Sequence, residues 1–357
     1  MTQATLEKLP FYNSNLFSAY YLSERLQDRS EWDCDEDARE ALDNITDLYE
    51  HEKDLLPGYK EDALIDSWID EVLDILGYGT NVETTLPEGD GYVDVLLFED
   101  TQTRRDAAGV YLDTNDTTDL FEGGLSLLEA KQWDADFSKR FSENRPYYNA
   151  SQQIRRYLDK TPSNIEWGIL TNGRKWRLYG TKDHEAQIYY EIDLPELIED
   201  GDLDRFKYFY LFFRPDAFRT TSGSTFLDSV WSESETATQE LGDDLQDNVF
   251  RALRVLGHGI VETNDLDIDP NDDKALSELK EQSLVLLYRL MFVLYAESRQ
   301  LIDPEGKQAK KEYEQNFSLN QHRLDIHDTI GEVDTGFEDE YSTYSTTIWN
   351  DLQDCSG

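Results

Sequence analysis

The chain has 357 residues, longer than one small core needs, and carries 33 Lys+Arg against 76 Asp+Glu, a formal net charge of -43. Acidic residues are spread along the whole chain, a pattern that reads as a halophilic surface and excludes a generally basic nucleic-acid-coating protein. The two cysteines, Cys34 and Cys355, are too few for a disulfide framework or a zinc cluster, and leave a reducing cytoplasm as the expectation.

MTQATLEKLP lacks a positive region followed by an apolar core, so no signal peptide is expected. Residues 1–56 place Leu16, Tyr20, Leu26, Leu42, Ile45, Leu48 and Tyr49 at helical spacing, which predicts a helical extension. After Pro57-Gly58, ALIDSWIDEVLDILGYG aligns Leu64, Ile65, Trp68, Ile69, Val72, Leu73 and Leu76 on one face and stops at Gly77, the signature of an amphipathic helix. GYVDVLLFED and GLSLLEAKQW follow as two apolar strands, with residues 101–123 between them read as an acidic hairpin insertion. YNASQQIRRYLDK has helical spacing, IEWGILTNGRKWRLYG reads as two strands around an Asn172-Gly173 turn, and YYEIDLPELI as a strand running into a helix.

RTTSGST, from Arg219 to Thr225, is the linker candidate, and the chain beyond it is expected to be helical to about Asp303. Its most apolar stretch, Ser283 to Ser298, is shorter than the roughly 20 residues of a membrane span and holds Arg289, so it is expected to be a buried helix and no membrane partner is expected. From about Phe317 the chain is acidic and weakly periodic, as if cut from something longer.

Charge is distributed unevenly. From Lys139 to Lys182 ten basic residues against three acidic ones leave a local surplus of seven positive charges. At molar salt screening acts within about 3 Å, so net charge says little about partners and local charge says more. Contact with a polyanion through Arg140, Arg145, Arg155, Arg156, Arg174 and Lys175 is the expectation; internal ion pairing is the alternative. Trp167, Trp176 and Tyr179 are at strand spacing and are expected in the core rather than stacked on bases.

Asp94 lies inside an apolar strand, and Glu129 and Lys131 at alternate positions of the next, so that adjacency of the strands brings three charges together. A structural salt bridge is one explanation. Phosphodiester hydrolysis is the other, because it needs carboxylates for Mg²⁺ and a cation to place water and offset developing charge. With Asp94 in VDVLLF and Glu129-Ala130-Lys131 as an ExK triplet, the chain resembles the PD-(D/E)xK nuclease superfamily. Gln153 and Tyr157 match the QxxxY pattern of RecB-like members, and Glu71 matches the acid of the preceding helix.

The resemblance implies a restriction-endonuclease-like α/β fold, a mixed central sheet flanked by helices. It implies metal ligation by Asp94, Glu129 and the Ala130 carbonyl, a positioning role for Lys131, tuning by Glu71, and orientation by Gln153 and Tyr157. QIRRYLDKTPSNIEWGILTNGRKWRLY with the later LLYRLMFVLYAESRQLID is similar to type IIG restriction-modification enzymes over most of residues 57–320. That implies a helical extension at 1–56, a nuclease domain at 57–219 and an α-helical C-terminal connector at 220–357, truncated before a methyltransferase domain. The expected activity is Mg²⁺-dependent (or Mn²⁺-dependent) cleavage of DNA within restriction or defence, with a methyltransferase or specificity subunit as partner. A catalytically silent DNA-binding or assembly module is the rival, and a nuclease acting on RNA or DNA ends has the same site chemistry. Three departures stand out: Val93 replaces the usual Pro, residues 101–123 enlarge the loop, and no NPPY-type tetrapeptide or glycine-rich loop provides an S-adenosylmethionine site.

Overall fold

The computed structural model describes residues 9–330, apart from 88, 90, 143–145, 183, 184, 299, 300, 303 and 305. Its first element corrects the reading of residues 1–56 as purely helical: Tyr12–Ser14 (β1) is a short strand paired antiparallel with a strand near residue 190. Ala19–Glu24 (α1) and Asp35–Glu52 (α2) follow, the latter burying Ala38, Ala41, Leu42, Ile45 and Tyr49 at spacings of three and four. The amphipathic helix after Pro57 is present as Glu61–Leu64 (α3), one π-helical turn at Ile65–Ile69, and Asp70–Ile75 (α4). The π turn seats Trp68, whose indole N–H donates to the Gly173 carbonyl at 2.8 Å.

Gly79–Thr85 (β2) and Tyr92–Phe98 (β3) pair antiparallel. The expected hairpin insertion at 101–123 is instead two helices, Thr101–Thr114 (α5) and Thr117–Glu122 (α6). Asp100 and Asp116 cap them, accepting from Thr103 N at 2.7 Å and Thr118 N at 2.9 Å, which gives the polar segment a helical start despite its loop-like composition. Ser126–Ala130 (β4), Ala150–Leu158 (α7), Trp167–Thr171 (β5), Lys175–Gly180 (β6) and Tyr189–Asp193 (β7) then appear in the predicted order. Leu194–Asp200 (α8), Leu203–Phe213 (α9), Pro215–Phe218 (α10), Phe226–Thr263 (α11), Asp273–Ser298 (α12), Lys307–Asn316 (α13) and Leu319–Ile330 (α14) are helical.

The strands form one mixed sheet ordered β1-β7-β6-β5-β4-β3-β2. β4 and β5 run parallel with α7 as their crossover, and the other neighbours are antiparallel. One face, with Val95, Leu97, Leu128, Ile169, Trp176 and Tyr190, packs on the N-terminal helices and α8–α10. The opposite face, with Leu96, Leu127, Leu170 and Tyr179, packs on α5–α7. Trp167, Trp176 and Tyr179 are buried, in keeping with their core assignment.

The chain divides into two compact units, 1–240 and 241–357. Both boundaries therefore differ from the expected 56/57 and 219/220. Phe11, Leu22 and Ile45 share the sheet's core, and Leu227, Val230 and Ala237 of α11 extend it past the linker candidate. Within the second unit Glu297 holds the loop before α14, accepting from Tyr313 Oη at 2.8 Å and from Leu319 N and Asn320 N at 2.9 Å. The Ser283–Ser298 run is helical as expected but not a buried helix: on α12 only Ser283 and Ala296 are buried, while Tyr288, Phe292 and Tyr295 are exposed. Among the described residues no helix is long and apolar enough to cross a membrane.

Candidate active site

Asp94 and Glu129 meet because β3 and β4 are adjacent and in register. The pairing of Val95 with Leu128 and of Leu96 with Leu127, continued by one residue, sets Asp94 across from Glu129. Both project to the face covered by α7. Asp94 Oδ2 accepts from Ala130 N at 2.7 Å, which ties the first acid to the second strand's backbone. Lys131 N donates to Thr171 O at 2.8 Å, so the residue after β4 is still held by the parallel neighbour. Its ammonium donates to Glu129 Oε1 at 2.6 Å and to the Ala130 carbonyl at 2.5 Å.

The third contribution comes from α7. Asn149 caps it by accepting from Gln152 N at 3.0 Å. Gly168 on β5 lets Ile154 and Leu158 settle against the sheet, since a Cβ there would stand 3.2–3.3 Å from both side chains. This seating brings Gln153, one helical turn from Tyr157, over the carboxylates. Gln153 Nε2 donates to Glu129 Oε1 and, at 3.0 Å, to the Tyr157 hydroxyl, which lies 3.3 Å from that of Tyr147. Sequence and structure thus agree in bringing together Asp94, Glu129, Ala130, Lys131, Gln153 and Tyr157.

Burial governs the electrostatics. Asp94 is 8% and Glu129 2% exposed. Desolvation pushes the Glu129 carboxyl up to about 8, with the Asp94 charge adding to it and Lys131 opposing it. Desolvation likewise raises Asp94, against the pull of Lys131 and the Ala130 N–H. Burial opposes the Lys131 charge, but Glu129, Glu61 and Asp94 together raise it, so the ammonium stays protonated. Burial, then the Tyr147 hydroxyl, holds the Tyr157 phenol above its usual value.

The site fits a hard divalent cation. Its donors are all oxygen: two carboxylates and a carbonyl. Glu129 Oε2 and Gln153 Oε1 are buried without a hydrogen-bond partner, an arrangement that costs free energy until a cation or donor arrives. The Lys131 ammonium already sits on two of the three oxygens assigned to the metal, so positive charge is what this pocket selects. Among the described residues no group of three or more His, Cys, Asp and Glu is arranged to hold a metal.

Glu71 is exposed on α4, ten residues after Glu61 and beyond the π turn at Ile65–Ile69. The acid of this helix nearest the cluster is Glu61, whose Oε1 lies 4.0 Å from Lys131 Nζ, and Asp62 raises Asp94 further. The predicted helix begins at Ala63, two residues after Glu61, and neither Glu61 nor Tyr147 was singled out by the sequence.

Four of the ten basic residues of the segment are ion-paired within the fold. The Arg155 guanidinium is buried and donates to Gly180 O, a structural role rather than a DNA contact. Arg174 pairs with Asp193 at 2.9 Å and Asp134 at 3.6 Å, Lys175 with Glu191 at 3.1 Å, Arg177 with Glu191, and Lys182 with Asp228. Arg156 is half-buried on α7, and Arg145 lies outside the described residues. Arg140 is exposed, its guanidinium 5.2 Å from the Tyr148 ring centroid. No protein-family model, curated protein or solved structure matches this chain.

Proposed function

We propose that the first unit is a divalent-metal-dependent nuclease that hydrolyses DNA phosphodiesters, with a restriction-endonuclease-like arrangement of its sheet. The observation that carries this reading is the convergence of Asp94, Glu129, Ala130 O, Lys131 and Gln153 at one buried point where two oxygen atoms remain unpartnered. A mixed sheet with β4 and β5 parallel across α7 supports it.

Asp94 and Glu129 with the Ala130 carbonyl would hold Mg²⁺, or Mn²⁺ in its place. When bound, the cation supplies Lewis acidity toward a phosphoryl oxygen and offsets the charge that develops there. Lys131 orients the attacking water and donates to the developing oxyanion. Gln153 holds Glu129 Oε1, fixing the carboxylate's rotation, and Tyr157 fixes the amide. A water-poor wall formed by α7 strengthens each of these interactions.

A restriction or defence setting with a methyltransferase or specificity partner fits the helical second unit in this proposal. The rival, a catalytically silent DNA-binding or assembly module, draws on a specific observation: Lys131 already neutralises Glu129, as a structural salt bridge would. Labelled DNA and RNA of one sequence, incubated with Mg²⁺ at matched salt, test the proposal. DNA cut and RNA left intact is the expected result; RNA cut in preference assigns the site to another substrate, and neither cut favours the silent module.

A further inference from the structure

A chain of hydrogen bonds leads out of the site to the loop between β4 and α7. The Gln153 amide has two protons, spent on Glu129 Oε1 and the Tyr157 hydroxyl. Tyr157 therefore accepts on its inner side and has its own proton to place. The acceptor in reach is the Tyr147 hydroxyl at 3.3 Å. The reverse polarity would strand the Tyr157 proton on a side chain 5% exposed, whereas the half-buried Tyr147 is partly open to solvent. Donors thus run outward, and Tyr147 ends the chain with one unspent O–H.

That end is held firmly. The Tyr147 ring meets Tyr157 edge-on at 6.1 Å and Phe141 at 5.9 Å, and Phe141 N donates to Tyr148 O at 2.8 Å. Lys139 and Arg140, which precede Phe141 in the chain, are both exposed and, among the described residues, without an ion-pair partner, and Arg140 lies over the Tyr148 ring. In a segment where Arg174, Lys175, Arg177 and Lys182 are all neutralised, two unspent cations and an unspent hydroxyl select an anion.

We infer that Tyr147 is a positioning residue. Its hydroxyl donates to a backbone phosphate oxygen of a DNA strand seated against Lys139, Arg140 and Tyr147, and passes that contact through Tyr157 and Gln153 to the Glu129 carboxylate. This rests on the nuclease reading of the same site. It makes seating of the strand a condition for fixing Glu129, rather than leaving the acid indifferent to substrate.

The test uses the full chain and Tyr147→Phe, which keeps both ring contacts and removes one hydroxyl. Binding of a labelled DNA duplex is followed at one fixed salt concentration with Ca²⁺, alongside the Gln153 side-chain amide resonance in ¹⁵N-glutamine-labelled protein, assigned by its loss in Gln153→Ala. The expected result is that the duplex shifts the Gln153 resonance in wild type. Tyr147→Phe, folded as wild type, binds about tenfold more weakly and leaves the resonance unmoved at saturation. Equal shifts and equal affinity in both proteins overturn the inference, even where Mg²⁺-dependent cleavage upholds the nuclease reading. Binding and a shift that depend on Tyr147, without cleavage under Mg²⁺, uphold the inference and overturn catalysis; no binding by wild type overturns both.

Discussion

Glu129 is the residue on which the chemistry and the stability of the site meet. Its carboxyl, with two donors on Oε1 and none on Oε2, holds its proton up to about 8. A raised acid binds its proton more tightly in the folded chain than in the unfolded one, so its stabilising effect is complete below the unfolded value near 4.5 and is lost as pH rises through about 8. Metal-free protein should therefore lose stability between pH 5 and pH 8.5, relative to Glu129→Gln, by on the order of 2 kcal/mol. Urea unfolding of both proteins across that range measures it; parallel curves for the two would remove Glu129 as the cause. Mg²⁺ competes with this proton, so it should raise the midpoint more at pH 8.5 than at pH 5.5. The same scale shows how far single residues were legible. Asp94, Glu129 and Lys131 stood out because charged groups in apolar strands need partners, and Gln153 and Tyr157 through the QxxxY pattern of the resemblance. For Glu71, an acid on a predicted helix carries no information about which turn faces the sheet's end; Glu61 Oε1 lies 4.0 Å from Lys131.

At the scale of elements, β3, β4 and β5 were readable because strands buried on both faces leave mainly apolar runs, and β6 because the Asn172-Gly173 turn announces its partner strand. Edge strands leave no such trace: β2 is GTNVETT with Val82 exposed, and β1 spans three residues. α5 and α6 were missed because Thr, Asp and Asn favour turns by composition, while their caps at Asp100 and Asp116 depend on backbone geometry. The Asn172-Gly173 turn was legible, and its role is larger than joining two strands. The Gly173 carbonyl accepts from Trp68 at 2.8 Å and Trp176 at 3.3 Å, so it pins the π-turn helix, and with it Glu61, to the sheet. Gly173 has φ of +78°, and a Cβ would come within 2.8 Å of the Trp133 ring. Gly173→Ala should cost about 2 kcal/mol in unfolding free energy. An unchanged urea midpoint would show that the turn yields without strain.

For the whole molecule, the organising fact is that residues 9–56 belong to the first compact unit rather than precede it. Phe17 stacks near Trp167, Phe11 near Tyr190 and Tyr208, and Leu22 and Leu26 are fully buried. A chain trimmed to 57–219 loses β1, α1, α2 and the start of α11, and should fail to unfold cooperatively, whereas 9–240 should retain a single transition. Cooperative melting of the 57–219 piece would restore the boundary expected from sequence. Helical periodicity announced the helices of the N-terminal segment but not what they pack on, since amphipathic faces do not name their partner. Charge was legible only in aggregate. The surplus of basic residues between Lys139 and Lys182 is real, yet four of the ten pair with Asp193, Glu191 and Asp228, brought near only by the fold.

The most direct test of the central claim is cleavage of supercoiled plasmid at matched salt, with and without Mg²⁺, by wild type, Asp94→Asn and Lys131→Met. The account predicts nicking or linearisation by wild type only with the metal, and a loss of at least about 100-fold in each variant, with both still folded. Cutting that survives in both variants, or DNA bound by wild type and left intact with Mg²⁺ and Mn²⁺ alike, would contradict it.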